Sequence, residues 1–430
     1  GWPGRVRARQ KTEDWRSTID QTRQTTEDMP MSTEAFREKV KDWLADNCPQ
    51  AARGPGDPVT IGSKRPMQNS ELLEWRHALG SKGWTVPTWP SEYGGGGLSL
   101  DEARVIAEEL RAIRARAPMG GMGTSMLGPT LLEYGTEEQK LRHIPKIALG
   151  DVAWCQGYSE PGAGSDLAGL STRAVDKGDV FEVNGQKIWT SGANFADWIF
   201  VLVRTDPDAA KHDGISFVLM DMHQPGITVK PIRLISGSSP FCETFFDNAV
   251  ARKADLVGQL NRGWTVGKRL LQHERSGQGG VGAASARAPR QRASAPANPL
   301  LDTARKYVGT DPEGAIADQS TRDTVIRFGM NQRSFSLTQK RAKEENTSGK
   351  TMGEATSIFK LYGATMARDS ADMRVRMMGA QGFGWEGDSF SEAERGATRA
   401  WLHSRAITIY GGTNEIQLNI IAKRVLGLPD

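Results

Sequence analysis

The hydrophobic period of the chain changes twice, and this constrains the fold more than any single motif. From Met31 to about residue 150 apolar residues recur at helical spacing, with Phe36, Val40, Trp43 and Leu44 in one stripe and Ile106, Leu110 and Ile113 in another. From 150 to about 265 the period falls to two. Phe181 and Val183 precede Asn184-Gly185, and Lys187, Ile188 and Trp189 follow it. Asn-Gly between alternating residues is the strongest short-range hairpin signal, so a hairpin is expected there. Further strands fit Ile199 to Arg204, Ile215 to Met220, Ile227 to Ile232 and Thr244 to Phe246. From Gly263 helical spacing returns, with patterns over about 315–342, 351–379, 391–408 and Asn414 to Leu426. The expected fold is therefore a multidomain α+β chain: a flexible extension or upstream remnant (1–30), an N-terminal α-helical domain (31–150), a middle antiparallel β domain (151–265) and a C-terminal four-helix bundle (266–430).

Local signals refine this frame. Ser99 with Glu102, and Thr136 with Gln139, read as capping boxes at helix starts. Trp89 to Tyr93 followed by Gly94–Gly97 reads as a tight loop, and residues 283–299, rich in Ala, Arg, Ser and Pro, as an exposed one. The Met119–Met126 piece reads as core packing, with the lining of a ligand tunnel as the sharper alternative. A formal charge of +4 on 430 residues, with no massed basic stripe, argues against nucleic acid as a partner. Three widely spaced cysteines, Cys48, Cys155 and Cys242, argue for a reducing compartment and against a disulfide framework or a metal site. No apolar run approaches the roughly 18 residues of a membrane span, so stable membrane insertion is not expected and a cytoplasmic location is.

Trp154 to Gly169 (Trp-Cys-Gln-Gly-Tyr-Ser-Glu-Pro-Gly-Ala-Gly-Ser-Asp-Leu-Ala-Gly) sets a short apolar run before a turn in which glycines let backbone amides approach a ligand and Ser and Asp offer polar contacts. A phosphate-bearing cofactor suits such a turn. A Rossmann fingerprint does not: Leu167 stands at the third glycine position, Pro161 interrupts the turn, and strand patterning follows where a helix should. An ordinary surface loop is the bland alternative.

Four stretches together carry a family resemblance: Trp89–Gly97, Tyr158–Gly169, Lys187–Asp197 and Ile409–Leu418. With the helical, β, helical order they make the chain, from Met31 onward, resemble the acyl-CoA dehydrogenase family. The resemblance implies an FAD enzyme that takes an acyl-CoA thioester to its trans-2-enoyl-CoA and hands electrons to an electron-transfer flavoprotein, within fatty acid metabolism and β-oxidation. By position, Ser159 looks like the contact to the flavin pyrimidine edge, and Ser165 like a ligand of the pyrophosphate and of substrate. Gln156, Tyr158 and Gly164 fall in the same implied cofactor set. Trp189 and Ser191 look like the pair beside the reactive flavin edge, and Thr413 and Glu415 resemble residues near its adenylate side.

The base departs from the commonest family pattern. Tyr410 is followed by Gly411, Gly412 and Thr413 where many relatives carry Tyr-Glu-Gly-Thr, and glycine cannot accept a proton. Glu274, in His273-Glu274-Arg275, falls where other branches of the family keep the base on the first C-terminal helix. A carboxylate in a dry pocket there would have a raised pKa; a solvated helix charge is the plain alternative. Arg275 resembles the arginine that contacts the CoA thioester tail. The Gly411 amide is left to hydrogen-bond the thioester oxygen. The family implies a homodimer or homotetramer, or a heterotetramer of two related chains, some of whose bacterial members act on dicarboxylic, branched or steroid side-chain acyl-CoAs. A flavin monooxygenase on the same scaffold and a partner subunit without activity of its own are the alternative functions.

Overall fold

The computed structural model describes residues 32–56, 58–65, 69–116, 120–279, 299–347 and 355–429. Helices begin where a side chain satisfies amides that the first turn leaves unpaired. Ser32 caps α1 (Thr33–Asn47) and Asn69 caps α2 (Ser70–Ser81). Both expected capping boxes form, Ser99–Glu102 on α3 (Leu100–Ala112) and Thr136–Gln139 on α5 (Glu137–Leu149). Between them a π-helical turn, Gly123–Leu127, leads into α4 (Gly128–Tyr134). Phe36, Val40 and Leu44 bury their stripe against Trp75, Leu79, Val105 and Ile106, while Trp43 is only partly buried and packs on Trp75 and Trp84. Met122 and Met126 belong to the core cluster that includes Leu127 and Trp154. The Trp89 ring lies so close over Gly128 that a Cβ there would meet it at 2.0 Å, which fixes the Trp89–Gly97 loop to α4.

The middle region is one seven-stranded sheet: β1 (Trp154–Gly157), β2 (Arg173–Asp176), β3 (Val180–Ser191), β4 (Trp198–Arg204), β5 (Ile215–Asp221), β6 (Ile227–Ile232) and β7 (Phe241–Arg252), in the order β1-β4-β2-β3-β7-β6 with β5 beside β4. Most pairings are antiparallel. β1 runs parallel to β4, and β2 touches β4 in parallel at Arg173, because the Gly-rich turn and β2–β3 intervene before the chain returns. β4 and β5 are apolar on both faces, as a doubly covered strand requires. Phe200, Leu202, Phe217 and Leu219 face a core shared with α4, α5 and the first C-terminal helix; Ile199, Val201, Val203, Val218 and Met220 face a second core with Phe181, Val183 and Phe246.

The hairpin expected at Asn184-Gly185 is not formed. β3 runs straight through both residues, with only a register shift against β7 between Val183 and Gly185. The reversal lies earlier, at Asp176–Gly178, where Lys177 N–H donates to Val180 O and Gly178 N–H to the Asp176 carboxylate. Gly185 answers a different need: its φ is +148°, and a Cβ would stand 2.7 Å from Thr172 Cα. It is a bulge and close-approach glycine.

The C-terminal helices are α6 (Gly263–Gly279), α7 (Pro299–Tyr307), α8 (Gln319–Thr347), α9 (Ala355–Met378), α10 (Glu392–Ile407) and α11 (Asn414–Ile420). α8 starts later than its apolar pattern because Asp318 caps it, accepting from Thr321 N–H. α11 gives way to a π turn over Ile421–Val425. A third capping box, Ser391–Glu394, starts α10; Tyr307 O–H donates to the same Glu394 carboxylate and ties α7 to α10. Pro299 opens a helix, the one place a proline fits without cost; the rest of the loop expected over 283–299 lies outside the described residues. The fold is an N-terminal helical region, a β sheet and a C-terminal helical region.

Candidate active site

The turn after β1 is fixed from beneath. Glu160 and Ala163 exchange N–H···O bonds of 3.0 Å, and the buried Glu160 carboxylate accepts from Ser171 N–H and O–H, Thr172 N–H and the Lys187 ammonium. Burial pushes this carboxyl up, but the Lys187 charge and these hydrogen bonds outweigh it and hold it at about 2. Above this anchor Gly162, Gly164 and Ser165 are exposed, and a Cβ at either glycine would meet nothing within 4 Å. The glycines thus face open space, as an approaching ligand requires. Gln156, on β1 and half-buried, has a buried Nε2 without a hydrogen-bond partner.

Beside the turn, β3 delivers Trp189. Ile188 N–H donates to Ser159 O at 2.9 Å, and the β3–β7 register breaks between Lys187 and Thr190. Inside that break Trp189 takes φ +61°, a left-handed conformation that an aromatic residue adopts only when its surroundings impose it. The indole is 52% exposed and meets Phe241 edge to face at 6.1 Å. Ser191 closes the strand opposite Phe241. Backbone strain here holds a flat aromatic surface exposed near the end of β3.

Tyr158 goes the other way. Its ring packs edge-on between Phe200 and Phe217, and its hydroxyl donates to Gly267 O at 3.4 Å, so the side chain is a core element joining the turn to α6. Helix α6 lies on the sheet through small residues: a Cβ on Gly263 would strike the backbone of Phe217 at 2.3 Å. Further along, Glu133 of α4 clamps the helix, accepting from Arg269 at 2.7 and 2.8 Å, with His273 Nε2 3.2 Å from the same carboxylate. Glu274 and Arg275 follow on α6, one turn past buried Leu270; their side chains lie outside the described residues.

Gly411, Thr413 and Glu415 form a separate group at the α10–α11 junction. Gly411 is exposed at φ +68°. The Thr413 hydroxyl is occupied as the N-cap of α11, accepting from Ile416 N–H, and hydrogen bonds in that cap lower the Glu415 pKa. Lys360 of α9 donates to Ile407 O and lies 5.9 Å from the Tyr410 ring, which holds this loop to α9. The structure therefore ties Ser159 to β3 beside Trp189, with Gly164 and Ser165 on the crest of the same turn and Ser191 at the end of the same strand, links the turn to α6 through Tyr158, and carries the Gly411 group on the loop between α10 and α11.

Lys187 is the residue that motif reading passed over. It is wholly buried, and burial lowers its pKa to about 8 against the pull of Glu160. Its signal was a lysine at an inward strand position. The Glu160 carboxyl falls from 4.5 in the unfolded chain to about 2 in the folded one. Its contribution to stability is thus complete above pH 4.5 and lost as pH falls through 2. Urea midpoints measured across that window should decline for the wild-type chain, and less steeply for Glu160→Gln.

Three family models match the chain in succession: acyl-CoA dehydrogenase N-terminal domain over residues 31–151, middle domain over 155–249 and C-terminal domain over 261–426. Acyl-CoA dehydrogenase IpdE1 of Mycolicibacterium smegmatis is 36% identical over 412 residues, spanning 93% of this chain and 98% of its own. IpdE1 of Mycobacterium tuberculosis is 37% identical over 399 residues, spanning 92% and 98%. Among solved structures, the Tcur3481-Tcur3483 steroid ACAD aligns with TM-score 0.69 at 29% identity, over 94% of this chain and 100% of that one. The ChsE4-ChsE5 complex from Mycobacterium tuberculosis aligns with TM-score 0.67 at 27% identity, over 94% and 100%. A sheet held between two helical regions is the architecture these proteins share. The chain belongs to the acyl-CoA dehydrogenase family and is an oxidoreductase.

Proposed function

We propose that this chain is an FAD-dependent dehydrogenase that forms the α,β double bond of an acyl-CoA thioester and passes the electrons to an electron-transfer flavoprotein. The observation that carries the reading is Trp189, held at φ +61° and half exposed beside the open glycine turn. A flat ring system can lie against that indole while its diphosphate meets the amides around Gly164 and Ser165. The unpartnered Gln156 Nε2 fits the same ligand as a buried donor awaiting an acceptor. Gln156→Leu is therefore expected to stabilise the ligand-free chain by about 1 kcal/mol, read by urea denaturation, and to weaken flavin retention in the same preparation.

Bound FAD supplies the two-electron acceptor for the β-hydrogen, which leaves as hydride. Glu274 takes the α-proton as the Cα–Cβ double bond forms. The Gly411 amide donates to the thioester oxygen as charge builds there. Arg275 holds the CoA end, and Ser165 serves both the pyrophosphate and the substrate. Thr413 and Glu415 complete the adenylate side; the Thr413 oxygen accepts from Ile416 N–H as the cap of α11, which leaves its O–H to donate.

The acyl group is bulky and polycyclic in this reading, which rests on the steroid ACAD among the structural neighbours. Assembly with further chains is supported by α8, which turns Ile326, Met330 and Leu337 outward along one face. A second, related subunit is the form we favour, since both neighbours are complexes of two differently named chains. A cytoplasmic location agrees with three free, buried cysteines. No described helix is long and apolar enough to cross a membrane, and no metal-binding cluster of His, Cys, Asp and Glu occurs among the described residues. Flavin per subunit, measured on the chain purified alone, tests the proposal. Stoichiometric FAD supports it, and a colourless chain that takes up no added FAD assigns it instead to the role of a partner subunit.

A further inference from the structure

The Glu160–Lys187 pair is an expensive way to hold two segments together. Lys187 has no solvent exposure, and an ion pair so buried is generally worth no more to stability than apolar residues of the same volume. What the pair offers is direction. The Lys187 ammonium donates to Glu160 at 2.7 Å and to Tyr158 O at 3.1 Å, so one strand residue grips the turn at two points. The other carboxylate bonds, to Ser171 and Thr172, fix where the turn rejoins β2. Lys187 is also the last β3 residue paired with β7 before the register break that gives Trp189 its left-handed backbone. Glu160 is the first residue of the turn whose crest carries Gly164 and Ser165.

We infer that Glu160 and Lys187 are positioning residues that lock the glycine turn and the Trp189 bulge into one register, so that both meet the same ligand. Neither touches that ligand; they set the spacing between the diphosphate-binding crest and the aromatic surface. The inference rests on the reading that the glycine turn and the end of β3 hold FAD.

The test separates positioning from stability. In Glu160→Leu/Lys187→Met the pair becomes apolar at similar volume while the Ser171 and Thr172 N–H groups lose their acceptor, so the full-length chain is expected to melt below wild type but to keep an unchanged far-ultraviolet circular dichroism spectrum at the assay temperature. Its affinity for FAD, titrated into flavin-stripped protein by flavin fluorescence, is expected to fall at least tenfold. Iodide quenching of tryptophan fluorescence in the stripped protein should change as well, a shift that Trp189→Phe abolishes. If the double variant does not fold, Glu160→Asp, which keeps the charges but retracts the carboxylate, should stay folded at the assay temperature and bind FAD severalfold more weakly. Wild-type affinity in the folded double variant, or in Glu160→Asp, overturns the inference alone. A wild-type chain with no affinity for FAD overturns the cofactor reading, and this inference with it.

Discussion

Glu274→Gln is expected to keep its flavin and its fold while anaerobic reduction by an acyl-CoA slows by about 10²–10⁴-fold. The substitution preserves shape and removes only the capacity to accept a proton, so flavin content should match wild type. Gly263 seats the start of helix α6 on β5, Tyr158 and Leu270 hold its middle to the sheet core, and Glu133 clamps it at Arg269 and His273. Glu274 follows that clamp on the same helix. The other location for a base is empty of carboxylate: Gly411 lies in the left-handed region, where a side chain is strained whatever space surrounds it. Glu274→Gln/Gly411→Glu should therefore recover little of the lost rate. Full rate in the single variant would remove Glu274 from the mechanism.

Gly185→Val is expected to cost the chain much of its stability. Its φ of +148° strains a β-branched residue by about 1–3 kcal/mol. Its Cβ would stand 2.7 Å from Thr172 Cα, a backbone atom that cannot rotate away, and relieving that overlap adds about 1–3 kcal/mol more. Thr172 is where β2 is bonded to Glu160, so displacement there spreads to the turn. The variant should be largely insoluble, or should show a urea midpoint far below wild type. Gly162→Ala, a glycine with open space and no positive φ, is the control and should stay within about 0.5 kcal/mol of wild type.

Features set by neighbours in sequence were legible. Ser99 with Glu102 and Thr136 with Gln139 act within one helical turn, and both formed. The apolar runs of β4 and β5 announce strands buried on both faces whatever lies against them. Asn184-Gly185 misled because the same dipeptide serves a tight turn and a bulge, and what decides between them is Thr172, brought close by folding. At the candidate site the resemblance named Ser159, Ser165, Trp189 and Ser191 by position, but not the backbone bond from Ile188 to Ser159 that ties the turn to β3, nor the packing of the Tyr158 ring between Phe200 and Phe217. Lys187 with Glu160, 27 residues apart, and Glu133 with Arg269, 136 apart, are pairings that only the tertiary fold creates.

The most direct test of the account is anaerobic titration of the flavin-loaded chain with a panel of CoA thioesters, straight, branched and polycyclic, followed by flavin absorbance and product mass. Stoichiometric bleaching by at least one thioester is expected, most readily a polycyclic one, with a product two mass units lighter. A loaded chain that no thioester bleaches, but that consumes oxygen and hydroxylates substrate when given reduced flavin, would contradict it.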